Sequence, residues 1–142
     1  MLKNIPPILS PDLLKILMEM GHGDELVIGD GNFPSATMAQ RLVRLDGHGV
    51  PEILEAILQL FPLDTFEPNA FLMERVAKDM EMEIPIWDVY TKIAKAGDEG
   101  FVDFGFIERY KFYERAKKAY AIIATSETSL YANIILKKGV VV

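Results

Sequence analysis

The alternation of helical and strand patterns is the feature that most constrains how this chain can fold. Ser10, Pro11 and Asp12 supply an N-cap hydroxyl, a first-turn proline and an acid at the positive end of a helix, and Gly21 predicts its end as a left-handed C-cap. An apolar strand is predicted directly afterwards, at residues 25–29. Helix, glycine and buried strand in close succession favour a layered α/β fold.

The same alternation continues to the C-terminus. Further strands are predicted at residues 41–47, 63–67, 70–76, 100–108, 120–126 and 133–139, and helices after Pro51, between residues 86 and 97, and around Phe112. Strands interleaved with helices predict an α/β fold with a mixed β-sheet flanked by helices. Because no repeat, linker or low-complexity tract divides the 142 residues, we expect one domain over residues 1–142.

Charge and hydropathy exclude several classes of partner. The net charge is −6 and the pI is near 4.9, with dispersed basic residues, so a nucleic-acid backbone would be repelled. No apolar stretch reaches the roughly 18 residues that a membrane span needs. The N-terminal segment MLKNIPPILS lacks the apolar run of a signal peptide, and we therefore expect a cytoplasmic protein. Without cysteine, disulfides and thiolate chemistry are excluded.

His22 is the first candidate for chemistry. It lies between Gly21 and Gly23, just after the predicted helix, where the negative end of the helix dipole and Asp24 would favour a protonated imidazole. An uncrowded histidine of this kind suits a general acid or base that faces a small substrate. The alternative is a surface histidine that caps the helix. His48, in DGHGV, is interpreted as a turn residue.

Asp30 ends the predicted strand at 25–29, and α/β proteins tend to bind ligands at the carboxyl ends of their strands. Gly29 and Gly31 on either side would allow a ligand to approach closely. A turn aspartate of the Asx type explains the same pattern equally well. No phosphate-binding glycine motif, metal-ligand spacing or serine-nucleophile motif is present, so neither a metal nor a cofactor is implied.

Three further polar residues suit a polyhydroxylated ligand. Tyr131 and Asn133 would point to the same face if their segment is extended, with a ring for C–H groups and an amide for hydroxyls. Arg109 offers a planar fork of donors beside aromatic residues. Turn chemistry for the first two, and a surface position at a helix start for Arg109, are the ordinary alternatives.

Taken together, three blocks of sequence resemble one family. SPDLLKILMEMGHGDELVIGDGNFP, ERYKFYERAKKAYAIIATSE and LYANIILKKGV, in this order, are similar to the fucose mutarotase branch of the D-ribose pyranase / L-fucose mutarotase family. The resemblance implies a cofactor-independent enzyme that interconverts the anomers of a free monosaccharide, most readily L-fucose, with pyranose–furanose exchange as a further activity. It also implies homo-oligomers, ring-shaped decamers among them.

The same resemblance implies a role for particular residues. His22 falls on the family's proton donor, and the sugar-binding positions fall on Asp30, Arg109, Tyr131, Ala132 and Asn133. A non-catalytic sugar-binding or sugar-sensing domain on the same scaffold is the alternative. His22 separates the two hypotheses, because a pure binder has no need of a titrating group between two glycines.

Overall fold

The computed structural model describes residues 1–66 and 68–142, and the strands of this part of the chain form a six-stranded sheet. The elements follow in the order α1 (Pro11–Glu19), β1 (Glu25–Gly29), α2 (Ser35–Met38), β2 (Leu42–Leu45), α3 (Val50–Leu58), β3 (Ala70–Met73), a 3-10 turn (Ala77–Asp79), α4 (Pro85–Gly97), β4 (Gly105–Ile107), α5 (Arg109–Lys118), β5 (Ala121–Thr125) and β6 (Ile134–Lys137).

The sheet is mixed, as the sequence predicted. Its strand order is β2-β5-β1-β6-β3-β4, and β6 runs antiparallel to both of its neighbours, β1 and β3. The remaining pairs are parallel, so β1 to β5 all end at one edge of the sheet, where β6 begins. We call this edge the carboxyl edge and the opposite one the amino edge.

Alternate residues of the strands face two separate cores, because successive side chains of a strand point to opposite faces. Leu26 and Ile28 of β1 pack into the larger core with α1, α3 and α4, whereas Val27 packs into the smaller core with α5. Strand β6 repeats the pattern. The near-continuous apolar character of β1, β5 and β6 therefore reflects helices on both faces of the sheet.

The two ends of α1 were predicted with different success. The Ser10 hydroxyl accepts a hydrogen bond from the Leu13 amide at 3.2 Å, which confirms the predicted N-cap of α1. The predicted left-handed C-cap at Gly21 is wrong. Helix α1 ends at Glu19 with Met20 in an extended conformation, and the positive φ of 85° belongs to Gly23. The Gly21 amide instead donates to the Asp24 carboxylate at 2.8 Å.

Two predicted strands differ from the structure. At 63–67 only Leu63 makes an isolated bridge, to Lys138, and Glu67 lies outside the described residues. The predicted strand at 100–108 is reduced to Gly105–Ile107. Phe101 and Phe104 are three positions apart and both pack into the larger core, with ring centroids 4.8 Å apart, which an extended strand does not allow.

Candidate functional site

Asp30 and Asn133 meet at the carboxyl edge. The antiparallel pairing of Ile28 with Ile134 places the end of β1 beside the start of β6. The Asp30 amide donates to Oδ1 of the buried Asn133 at 2.7 Å, and the Asp30 carboxylate accepts from the Asn32 amide at 2.9 Å. The structure thus joins two of the predicted residues that lie 103 positions apart in sequence.

The Asp30 carboxyl group lies in a setting that disfavours its ionised form. Burial raises the pKa of Asp30 above its usual range, and the nearby Glu127 carboxylate acts in the same direction. Amide hydrogen bonds, that of Asn32 first among them, oppose this shift without cancelling it. Hydroxyl donors of a ligand would stabilise the carboxylate that forms here.

The chain itself occupies the side of Gly29 and of Gly31 on which a Cβ atom would stand. A Cβ atom on Gly29 would lie 2.9 Å from the Ser35 hydroxyl and 3.0 Å from the Phe33 side chain. A Cβ atom on Gly31 would lie 3.1 Å from the Glu127 carbonyl. Because neither glycine has a Cβ atom, other parts of the chain can pack closely against both, and this close packing shapes the loop that carries Asp30.

Tyr131 differs from its predicted conformation. It has a left-handed backbone with φ of 52°, which costs a non-glycine residue about 1–2 kcal/mol. The segment is therefore not extended at Tyr131, and the condition under which Tyr131 and Asn133 would share one face is not met. The phenol donates to the Asp79 carboxylate at 2.6 Å and accepts from the Val76 amide at 3.2 Å. Its ring, rather than its hydroxyl, is the part that remains for a ligand.

Arg109 begins α5 at the same edge of the sheet. Its Nε donates to the Tyr113 hydroxyl at 3.2 Å, and the Tyr113 ring packs edge-on against Phe33 of the Asp30 loop, with centroids 5.8 Å apart. Burial and Asp79 raise the pKa of the Tyr131 phenol, and the positive charge of Arg109 acts against this. Arg109, which follows β4, and Tyr131, which precedes β6, thus lie at the same edge of the sheet.

A cleft of about 380 Å³ lies along this arginine. Residues 74–77 form one wall, and Phe106, Glu108 and Arg109 form the other. A separate hollow of about 460 Å³ beside the Asp30 loop is lined by Asn32, Arg44 and residues 125–128, among others. An apolar groove of about 490 Å³ is lined by residues between 1 and 14 and contains none of the predicted site residues.

His22 lies at the amino edge, away from the other predicted residues. Its Nε2 is 3.1 Å from Oδ1 of Asp64, and its side chain is 52% exposed. Asp64 is buried, its second carboxylate oxygen is 3.6 Å from Nζ of Lys137, and its Oδ1 also accepts from the Thr65 amide at 2.8 Å. Asp24, which the sequence suggested as the partner of His22, is bonded to Gly21 instead.

Asp64 is a residue of this site that sequence reasoning missed. Burial acts to raise the pKa of Asp64, but the hydrogen bonds from His22 and the Thr65 amide more than offset it and leave the pKa below its usual range. The carboxylate therefore stays ionised beside the imidazole. The signal in the sequence was a single acid between the apolar residues Leu63 and Phe66.

One chain does not bring His22 to the other candidate residues. Asn133 comes directly before β6. Lys137, whose ammonium group lies beside Asp64, is the last residue of the same strand. Four residues of antiparallel strand span about 14 Å, which separates the two ends of the candidate site. Ala132 lies with Asn133 at the carboxyl edge, where its carbonyl accepts from the Tyr90 hydroxyl at 2.9 Å.

Among residues 1–66 and 68–142, no group of three or more histidine, aspartate or glutamate side chains has the arrangement of a metal site. Every helix in the same ranges is too short or too polar to cross a bilayer.

The fold and the polar carboxyl edge define a small α/β protein with a mixed sheet and a cleft of ligand size beside the ends of its parallel strands. A model of the RbsD / FucU transport protein family matches residues 3–141, and the chain belongs to this family. It is 49% identical to the fucose mutarotase of Danio rerio over 146 residues, which cover 99% of this chain and 94% of that relative.

Solved structures agree with this assignment. The fucose mutarotase of Streptococcus pneumoniae in complex with L-fucose is 52% identical, with a TM-score of 0.92, and covers 99% of this chain and 100% of that one. FucU from Bifidobacterium longum is 54% identical, also with a TM-score of 0.92, over 97% of this chain and 100% of that one. The predicted fold and the predicted family are both confirmed.

Proposed function

We propose that this chain is an isomerase that interconverts the anomers of L-fucose without a cofactor. One observation carries the proposal: the hydrogen-bonded pair Asp30 and Asn133 lies at the same edge of the sheet as Arg109 and Tyr131, in a chain that is 52% identical to a fucose mutarotase solved with L-fucose. The proposal covers residues 1–142 as a single mutarotase-like domain and, as the sequence led us to expect, a cytoplasmic location.

The proposed chemistry is acid–base catalysis of ring opening and closure. Opening the hemiacetal ring requires a proton on the ring oxygen and the loss of one from the anomeric hydroxyl. Closure of the aldehyde on its other face reverses both transfers and completes the exchange of anomers. In this proposal His22 donates to the ring oxygen and takes the proton back, a role that typically contributes about 10²–10⁴-fold.

The environment of His22 supports this role. The ionised carboxylate of Asp64 holds Nε2 of the ring and stabilises the imidazolium, so that Nδ1 is the nitrogen that faces the sugar. Lys137 and the Thr65 amide hold Asp64 in turn. The carboxylate, guanidinium and carboxamide of the carboxyl edge would bind the sugar hydroxyls, and the Tyr131 ring would pack against its C–H groups.

We further propose a homo-oligomer, a decamer included, in which each site is shared between two chains. The support is geometric. His22 and Asn133 lie at opposite ends of strands that span about 14 Å, whereas a pyranose is roughly two strand spacings, or under 10 Å, across. The amino edge of one chain must therefore face the carboxyl edge of a neighbour if both are to contact one sugar.

Saturation-transfer NMR on equilibrated L-fucose tests the proposed activity. Saturation of one anomeric proton should lower the signal of the other anomer in the presence of the protein and much less in the presence of His22→Ala. D-Ribose and other aldoses, measured in parallel, define the preferred sugar and any ring-size exchange. Binding of L-fucose with no anomer exchange at neutral pH would refute the enzymatic role.

A further inference from the structure

We infer that Trp87 and Tyr90 of α4 are positioning residues that hold the backbone of the Tyr131–Asn133 segment in its sugar-binding arrangement. The inference rests on the proposed function of that segment. Neither residue touches the sugar in this account. Each acts through a hydrogen bond to one of two consecutive carbonyl groups.

Tyr90 reaches the segment from the core. Its side chain is completely buried, and its hydroxyl donates to the carbonyl of Ala132, which is also completely buried, at 2.9 Å. A buried carbonyl needs a hydrogen-bond partner, and packing alone would have been served by phenylalanine at this position. The hydroxyl of Tyr90 therefore fixes the peptide that immediately precedes Asn133.

Trp87 holds the preceding peptide and connects it to the cleft. Its indole Nε1 donates to the carbonyl of Tyr131 at 2.7 Å. The same ring packs against Phe106 in the wall of the cleft, with centroids 5.0 Å apart, and lies 5.2 Å from the Arg75 guanidinium of the opposite wall. One side chain thus sets the distance between the segment and both walls.

The backbone of this segment needs such support. Tyr131 adopts a left-handed conformation with φ of 52°, which a tyrosine leaves readily unless its surroundings impose it. A rotation at Tyr131 or Ala132 would move Asn133, whose Oδ1 accepts from the Asp30 amide at 2.7 Å. Two donors on one side of α4, Trp87 and Tyr90, oppose that rotation at consecutive peptides.

The test removes each donor while keeping an aromatic ring, with the variants Tyr90→Phe and Trp87→Phe. The control is Thr91→Val on the same helix, whose hydroxyl donates to the Trp87 carbonyl at 3.0 Å and does not contact the segment. Anomer exchange of L-fucose is measured over a range of sugar concentrations at a temperature well below the unfolding transition of every variant. We expect each aromatic variant to lower kcat/KM about tenfold, mainly through KM, and the control to stay within about twofold of wild type.

A double-mutant cycle with Asn133→Ala separates positioning from general stability. If Tyr90 acts by aiming Asn133, then Tyr90→Phe should cost little further activity once the amide has been removed, whereas a general loss of stability would add in full. Equal activity of Tyr90→Phe and Thr91→Val, or full additivity in the cycle, would overturn the inference. If wild type binds L-fucose without exchanging its anomers, the proposed function fails, and the same comparisons made on sugar affinity test the positioning role.

Discussion

Replacement of Asp64 by asparagine should lower the rate of anomer exchange by about tenfold while the fold is retained. The carboxylate is nearly inaccessible, and its Oδ1 lies 3.1 Å from Nε2 of His22. Asparagine keeps the shape of the side chain and an acceptor for the Thr65 amide. What it removes is the negative charge beside the imidazole, together with the attraction to Lys137.

The magnitude follows from the exposure of the histidine. A hydrogen bond to a charged group contributes about 1.5–3 kcal/mol. Since the His22 side chain is 52% exposed, water screens the interaction, and we take the lower limit. About 1.4 kcal/mol corresponds to one factor of ten in the amount of the imidazolium that can donate a proton, which gives the expected tenfold loss of rate.

The assay is saturation-transfer NMR on L-fucose, with thermal unfolding measured on the same samples. Glu52→Gln is a matched control, because Oε1 of Glu52 lies 3.1 Å from Nδ1 of His48, the other histidine of the chain. Glutamine also preserves the capping contact with the Gly49 amide. Wild-type exchange in Asp64→Asn, or an equal loss in Glu52→Gln, would refute the reasoning.

Three other expectations follow from the same geometry. His22→Ala should lower exchange by about 10²–10⁴-fold with unfolding unchanged, and a variant that exchanges at the wild-type rate would exclude the proton-donor role. Arg109→Ala should raise KM more than it lowers kcat, because this exposed fork contributes mainly uniform binding; a much lower kcat at unchanged KM would contradict this. Asp30→Asn should weaken sugar binding yet raise the unfolding temperature at neutral pH. The pKa of Asp30 is higher in the folded state than in the unfolded state, so ionisation of Asp30 destabilises the fold. This cost begins as pH rises past the unfolded-state pKa and is complete above the folded-state pKa. The gain should therefore vanish at pH below about 3.9, the ordinary pKa of an aspartate, and a gain that is independent of pH would argue against the burial of this charge.

Local patterns predicted the layers of the fold well because they depend on neighbours in sequence. The N-cap at Ser10 and the apolar strand β1 are set by residues within a few positions of each other. Strand ends were harder. The apolar residues at 63–67 and 100–108 suggested strands. In the second segment, however, Phe101 and Phe104 pack into the core from irregular backbone, so their hydrophobicity reflects burial and not a strand.

The candidate site was harder to predict from the sequence, because it depends on contacts between residues that are distant in sequence. Sequence proximity suggested Asp24 as the charge beside His22, whereas the structure supplies Asp64 from 42 positions away. The backbone of Tyr131 is left-handed, its carbonyl accepts from Trp87 and its phenol donates to Asp79, and no local rule predicts this conformation for a tyrosine. The family resemblance named the candidate residues as a group, and their division between two edges of the sheet required coordinates.

Activity of mixed oligomers tests the central claim, a mutarotase site shared between chains, most directly. His22→Ala and Asn133→Ala chains are each strongly impaired in this account, since one lacks the proton donor and the other lacks a sugar contact. An equal mixture of the two variants is unfolded and reassembled into mixed oligomers. About a quarter of all sites should then combine an intact His22 from one chain with an intact Asn133 from its neighbour. We predict that L-fucose exchange then returns to about a quarter of the wild-type rate, in particles that light scattering shows to be oligomeric. Activity that stays at the sum of the two separate variants, or a fully active wild-type monomer at high dilution, would contradict the shared site.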